Sequence, residues 1–252
     1  EALPGGIGGS SNALGKYLHG HTHSISVVGT VPWLKKPPGT HDEGRPNQIY
    51  IPRFTNLDSS QTTLPFIRGY GIEGAVKHYM TPRDITTRPG FGVKLKQSIR
   101  TDSTAARFFL TAFGTMLPRA ENTVSLSDRT DTWGVPTVTI DCTYGDNDLE
   151  MARHMAKSVA EMAEAAGFEV TASSDRPGTP GQCVHEVGTA RMGTDPARSV
   201  LDSSNRAWDV TNVIVVDGAC FVSSGPQNPT LTMMAIALRA SRELARDLRS
   251  SA

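Results

Sequence analysis

The chain has 252 residues, with 25 basic and 25 acidic side chains and a formal net charge of zero. That neutrality leaves no footprint for nucleic acid or an anionic membrane, and no run approaches the ~18 apolar residues of a membrane span. Three cysteines, odd in number and far apart, argue against a disulfide framework and for a reducing compartment.

The length suits one large domain or two small ones with a real core. The N-terminus shows no basic region before an apolar stretch, so no signal peptide is expected and the expected location is cytoplasmic. Residues 5–12 are small and Gly/Ser-rich and predict a loop, followed by a short helical turn over 13–18. Ser24–Val31 alternates as a strand does. Residues 35–47 predict a loop, Ile49–Phe54 and Leu64–Tyr70 predict strands, and Gly69–Gly71 marks a turn or a close backbone approach. Val93–Phe109 predicts a helix and Phe108–Leu117 a buried strand. Thr123–Leu126 and Pro136–Tyr144 predict a strand pair around a turn, in a mostly antiparallel sheet. Asp148–Ala166 carries a 3.6-residue apolar stripe through Met155 and Val159 and ends at Gly167, a helix stop. Residues 172–181 read as a crossing between domains. Asn212–Asp217 has four successive β-branched residues, the pattern of a strand buried on both faces. A last helix is expected from Thr230 to Leu248, with Leu231, Met234, Ala235, Leu238, Ala245 and Leu248 inward and Thr230 or Asn228 as its cap.

The chemistry concentrates near the C-terminus. Cys183-Val-His-Glu-Val-Gly-Thr-Ala-Arg-Met-Gly193 is not a core pattern; its glycines suit backbone passing close to a large ligand. The predicted strand at 212–217 then ends in Asp217-Gly218, the end of a strand where ligands sit in α/β sheets. Asn228-Pro229-Thr230-Leu231-Thr232 opens the last helix, whose free N–H groups favour an anionic group.

In order and spacing, His185-Glu-Val-Gly188-Thr189-Ala-Arg191-Met192-Gly193, Asp217-Gly218 and Asn228-Pro229-Thr230-Leu231-Thr232 resemble the C-terminal signature of the glucose–methanol–choline (GMC) oxidoreductases. Ser10-Ser11-Asn12-Ala-Leu-Gly15-Lys16-Tyr17-Leu18 resembles the family's passage from the flavin domain to the substrate domain. Glu121-Asn-Thr-Val-Ser-Leu126 with Asp131-Thr-Trp-Gly-Val-Pro136 resembles its substrate-domain hairpin. The resemblance implies an α/β (α+β overall) fold: the C-terminal part of a two-domain flavoprotein with a mostly antiparallel substrate-domain sheet. It assigns residues 1–23 and 176–252 to the FAD-binding domain and 24–175 to the substrate-binding domain. It implies FAD as cofactor and His185 as the base that takes a hydroxyl proton as hydride leaves the carbon for flavin N5. Asn228, where other members have His, would bond the same oxygen; as a helix cap it could serve both roles. Asp217 and Gly218 would touch the ribityl–phosphate region, Pro229 and Thr230 the isoalloxazine edge, and Ser11, Asn12 and Asn228 would also contact the cofactor. His21 is expected in a loop close to the flavin. Extended, His19, His21 and His23 share a face, but they lack the Cys or carboxylate support of a metal site.

Ile51-Pro-Arg-Phe-Thr-Asn56 and Phe66-Ile-Arg-Gly-Tyr-Gly71 resemble the sugar-oxidising branch that includes pyranose oxidases, glycoside 3-oxidases and glucoside 3-dehydrogenases. Arg53, Asn56, Arg68 and Tyr70 would then donate to sugar hydroxyls, although Arg68 and Tyr70 equally suit a role in holding the sheet. The expected reaction turns a secondary hydroxyl of a sugar or glycoside into a keto group. The alternatives are a non-catalytic flavoprotein fragment or binding module, a family member acting on a non-sugar alcohol, and a hydroxynitrile lyase. The strand–Gly-x-Gly-x-x-Gly–helix that would grip the adenine dinucleotide is absent; Gly5-Gly-Ile-Gly-Gly is a partial match with no strand before it. The expected partner is therefore an N-terminal FAD-binding portion, on a longer chain or a second one, with a homo-oligomer also open.

Overall fold

The computed structural model describes residues 6–35, 48–58, 63–77, 86, 88–100 and 105–250. Seven strands are described: β1 (His21–Lys35), β2 (Ile49–Ile51), β3 (Tyr70–Lys77), β4 (Ala105–Thr115), β5 (Thr123–Thr130), β6 (Pro136–Asp141) and β7 (Glu169–Ser174). The helices are α1 (Gly92–Arg100), α2 (Asp146–Ala165) and α3 (Thr230–Ser250). Five strands form one sheet in the order β2-β3-β4-β1-β7, and β5 pairs with β6 in a separate hairpin. Every ladder is antiparallel.

Strand alternation explains the first core. On β1, Ile25, Val27 and Val31 point one way and are buried; on β4, Phe108, Leu110 and Ala112 do the same. The stripe of α2, through Met151, Met155 and Val159, lies across them. Each such side chain contributes about 1.5–3 kcal/mol when fully buried. Asp148 is buried in the first turn of α2 and accepts the Gly145 N–H at 2.9 Å.

A second core has little regular structure. Ala13, Val187, Ala190, Val200, Leu201, Ala207, Cys220 and Phe221 pack together, with Met233 and Ile236 of α3 against them. The first core draws on residues 25–163 and the second on 13 and 187–221.

Several elements differ from expectation. The chain bends through 63–68, Arg68 adopts a left-handed φ of 70°, and β3 starts only at Tyr70, where pairing with Gly114 begins. Gly69–Gly71 is therefore a strand entrance and not a turn. The segment Val93–Phe109 divides into α1 and the start of β4. Residues 169–174, read partly as a crossing, add β7 to the edge of β1. Residues 212–217 form no ladder: only Ile214 is bridged, to Arg206, because no described strand lies alongside to complete the pairing. On α3 the packed side is Met233, Ile236 and Ala240, while Leu231, Met234 and Leu238 are 78%, 64% and 52% exposed. The helix has two apolar sides, and the one expected inward is the uncovered one. The expected loop over 35–47 lies almost wholly outside the described residues. No described helix is long and apolar enough to cross a membrane.

Candidate active site

Three motif segments, far apart in sequence, are laced together by backbone hydrogen bonds. Val187 and His19 exchange both of theirs, at 2.8 and 3.0 Å, and Gly15 N–H donates to Thr189 at 2.7 Å. On the other side, Gly188, Ala190 and Met192 donate to Gly218, Ala219 and Cys220 at 2.9–3.0 Å. The His185 motif thus runs as a central thread between residues 15–19 and residues 218–220.

Glycine is required at one point of this threading and favoured at a second. Gly188 has φ 94°, and a Cβ there would lie 2.2 Å from the Tyr17 carbonyl oxygen. A Cβ on Gly218 would lie 2.7 Å from Met233 Cε and 3.1 Å from the Glu186 carbonyl oxygen, so Gly218 lets α3 seat against the thread. Val184 and Thr189 also have positive φ, 57° and 74°. A β-branched residue in that region is costly unless its surroundings impose it, and the two flank His185.

His185 is half-buried, and its Nδ1 is enclosed without a hydrogen-bond partner. The His21 ring stands edge-on to it, with centroids 5.0 Å apart and planes at 89°. Phe113 of β4 closes the other side of His21 at 5.7 Å. His21 is 2% exposed and neither of its ring nitrogens makes a well-aligned hydrogen bond. Burial, and then the neighbouring His185, lower its pKa to about 4 against a weaker pull from the Gly114 carbonyl, so His21 is neutral. His19 donates from Nδ1 to the Tyr17 carbonyl at 2.7 Å, and burial lowers its pKa as well. Arg191 lies over the Tyr17 ring at 4.5 Å. His23 is taken up by Ser24 and the Thr179 carbonyl. Among the described residues, no group of three or more His, Cys, Asp or Glu is arranged to hold a metal ion.

A cavity of about 430 Å³ opens beside the thread. Gly188, Thr189, Asp217 and Gly218 line one wall, and the cross-strand pair Val124–Ile140 of the hairpin lines the other. Asp217 is exposed, caps the 3-10 turn Gly218–Cys220 and accepts the Ala219 N–H at 2.9 Å. Leu18, Val187 and Ala219 also line it, so the cavity is mostly apolar with the Glu186 and Asp217 carboxylates at its polar part, which suits a flat ring system such as part of a flavin.

The remaining expected residues are distributed less evenly. Pro229 is buried, Asn228 and Thr230 are exposed, and Asn228 makes no hydrogen bond to His185. Ser11 is buried within its own turn and accepts the Ala13 N–H; Asn12 accepts from Lys16 Nζ at 3.1 Å. Gly8 and Ser10 bond Asp209, so the glycine loop here embraces a carboxylate of the chain itself. Tyr70 is fully buried with its hydroxyl 3.0 Å from His154 Nδ1 on α2, which makes it a core residue and not a substrate contact. Arg53 is likewise committed, to the Thr55 and Asn56 carbonyls. Arg68 is exposed and lines a cleft of about 640 Å³ with Asn56, Phe66 and Asn147.

Residues 118–237 match the family model described as GMC oxidoreductase. This segment belongs to the GMC oxidoreductases. The 2-methyl-1,2-propanediol dehydrogenase of Mycolicibacterium austroafricanum is 29% identical over 248 residues, covering 96% of this chain and 44% of its own. A pyranose 2-oxidase of Lyophyllum shimeji is 26% identical over 220 residues, covering 87% of this chain and 34% of its own. Formate oxidase of Aspergillus oryzae RIB40 superposes with a TM-score of 0.59 at 12% identity, over 96% of this chain and 48% of its own. The chain thus shares the fold of the corresponding part of that formate oxidase, and it spans less than half the length of these relatives.

The C-terminal motifs are readable from sequence, and His21 is expected in a loop near the site; it is instead the buried first residue of β1, and Phe113 beside it has no sequence signal. Antiparallel counting from the isolated bridge His19↔Val187 puts position 21 opposite position 185.

Proposed function

We propose that this chain carries the catalytic part of an FAD-dependent oxidoreductase that oxidises a secondary hydroxyl of a sugar or glycoside. The observation that carries the reading is the half-buried His185, with an unpartnered Nδ1, on a strained thread inside the segment 118–237 that matches the family. Bound FAD would supply the hydride acceptor. His185 would take the hydroxyl proton; a base within hydrogen-bond reach contributes roughly 10²–10⁴-fold. Asn228, on the loop before α3, would orient the same oxygen without titrating. Asp217, Gly218 and the backbone at Pro229 and Thr230 would hold the flavin, with Ser11 and Asn12 bracing the opposite side. Arg68 and Asn56 line a cleft suited to further hydroxyls.

Residues 1–23 with 176–252 would belong to the FAD-binding domain and 24–175 to the substrate-binding domain, a reading supported by the separation of the two cores. The uncovered side of α3, through Leu231, Met234 and Leu238, suits an N-terminal portion that would grip the adenine dinucleotide.

The likeness to a 2-methyl-1,2-propanediol dehydrogenase over 96% of this chain favours a second reading, a non-sugar alcohol as substrate. A substrate panel on the complete enzyme without oxygen separates the two by flavin bleaching. Reduction by pyranoses or glycosides is expected; reduction by choline or 2-methyl-1,2-propanediol but by no sugar would overturn the sugar assignment.

A further inference from the structure

His21 is more constrained than a core histidine needs to be. Its N–H points at Cys183 Sγ, 3.4 Å away, and its carbonyl accepts the Tyr144 hydroxyl at 3.2 Å. Gly20 lets that contact form, since a Cβ there would lie 2.4 Å from the Cys183 sulfur. The backbone of His21 is therefore held from both sides, and antiparallel register puts its ring directly across from His185. Three enclosed ring nitrogens lie on these two facing imidazoles and make no well-aligned hydrogen bond, with the Gly114 carbonyl as a backbone acceptor beside His21. Buried polar atoms are nearly always partnered. A 5.0 Å centroid separation is short enough for an N–H···N bond between the two rings when a nitrogen of each faces the other.

We infer that His21 is a positioning residue: it partners His185 Nδ1, fixing the ring orientation and the tautomer that His185 offers to a substrate hydroxyl. One neutral imidazole suits this task because it both donates and accepts. A second positive charge beside His185 would oppose proton uptake there, and burial keeps His21 from supplying one. The charged and titratable groups around His21 are His185, Glu186 and Cys183 on the thread, His23 on its own strand, and Tyr144 before α2. Phe113 fills the remaining side and blocks the ring from turning away.

The inference rests on the reading of His185 as base, and two readouts on the complete, FAD-loaded enzyme keep them apart. In His21→Phe, which keeps a ring of similar breadth but no nitrogens, kcat is expected to fall at least about tenfold with KM little changed. His21→Gln, which keeps a donor and an acceptor, restores part of the loss. In ¹⁵N-histidine-labelled enzyme, His185 is expected to show one ring tautomer, and a mixture in His21→Phe. Unchanged His185 ring signals in His21→Phe overturn the inference whatever the activity. If those signals change but His185→Ala leaves turnover intact, the positioning stands and the base assignment fails.

Discussion

The sheet-and-helix core and the thread core achieve order by different means. The first is built from regular elements whose alternation and 3.6-residue stripe bury one face apiece, so side chains decide its geometry. The second has almost no ladder longer than a bridge. Backbone hydrogen bonds among residues 15–19, 187–193 and 218–221, glycines without room for a Cβ, and left-handed residues hold it together. The teaching is that the candidate site sits where periodicity is absent: His185 belongs to the thread, while β1 and β4 only bring His21 and Phe113 to its flank.

Breaking the thread at its tightest point should separate the two cores most sharply. Gly188→Ala adds left-handed strain of about 1–2 kcal/mol and an overlap with the Tyr17 carbonyl worth about 1–3 kcal/mol more. Hydrogen exchange on the complete enzyme should show residues 15–19 and 187–190 losing protection while β1 and β4 retain theirs. Equal loss across both cores, or none, would remove the distinction.

Acid should act on the cores with opposite sign. His19 and His21 have lowered pKa values, so between about pH 6.5 and 4 the unfolded chain binds more protons than the folded one, and stability falls with pH. For the fully buried His21 the drop to about 4 corresponds to about 3 kcal/mol, present above pH 6.5 and lost towards pH 4. Asp148, under the sheet, has its pKa raised by burial, so the fold gains there as pH falls. Exchange measured across that range should show the thread opening before β1 and α2.

The same contrast explains what could be read in advance. The stripe of α2 and the alternation of β1 and β4 are local patterns, and they forecast those elements to within a few residues. Residues 212–217 carried the composition of a buried strand, yet composition cannot provide a neighbouring strand to pair with. Leu231 and Met234 misled for a related reason, because a helix with two apolar sides does not say which one this chain covers. Tyr70 and Arg53 were legible as polar groups in a promising motif; that one pairs with His154 and the other with its own loop is a tertiary fact. His185, Gly188, Asp217 and Gly218 were legible because a close backbone approach leaves glycines at fixed offsets. The His21–His185 contact was not, since it depends on a register set by one isolated bridge.

The most direct test of the account is anaerobic rapid-mixing reduction of the complete enzyme by its sugar or glycoside, comparing the unaltered protein with His185→Ala. The account predicts that the rate of flavin bleaching falls by roughly 10²–10⁴-fold while the bound flavin is retained. An unchanged rate, with flavin bound in full, would contradict it.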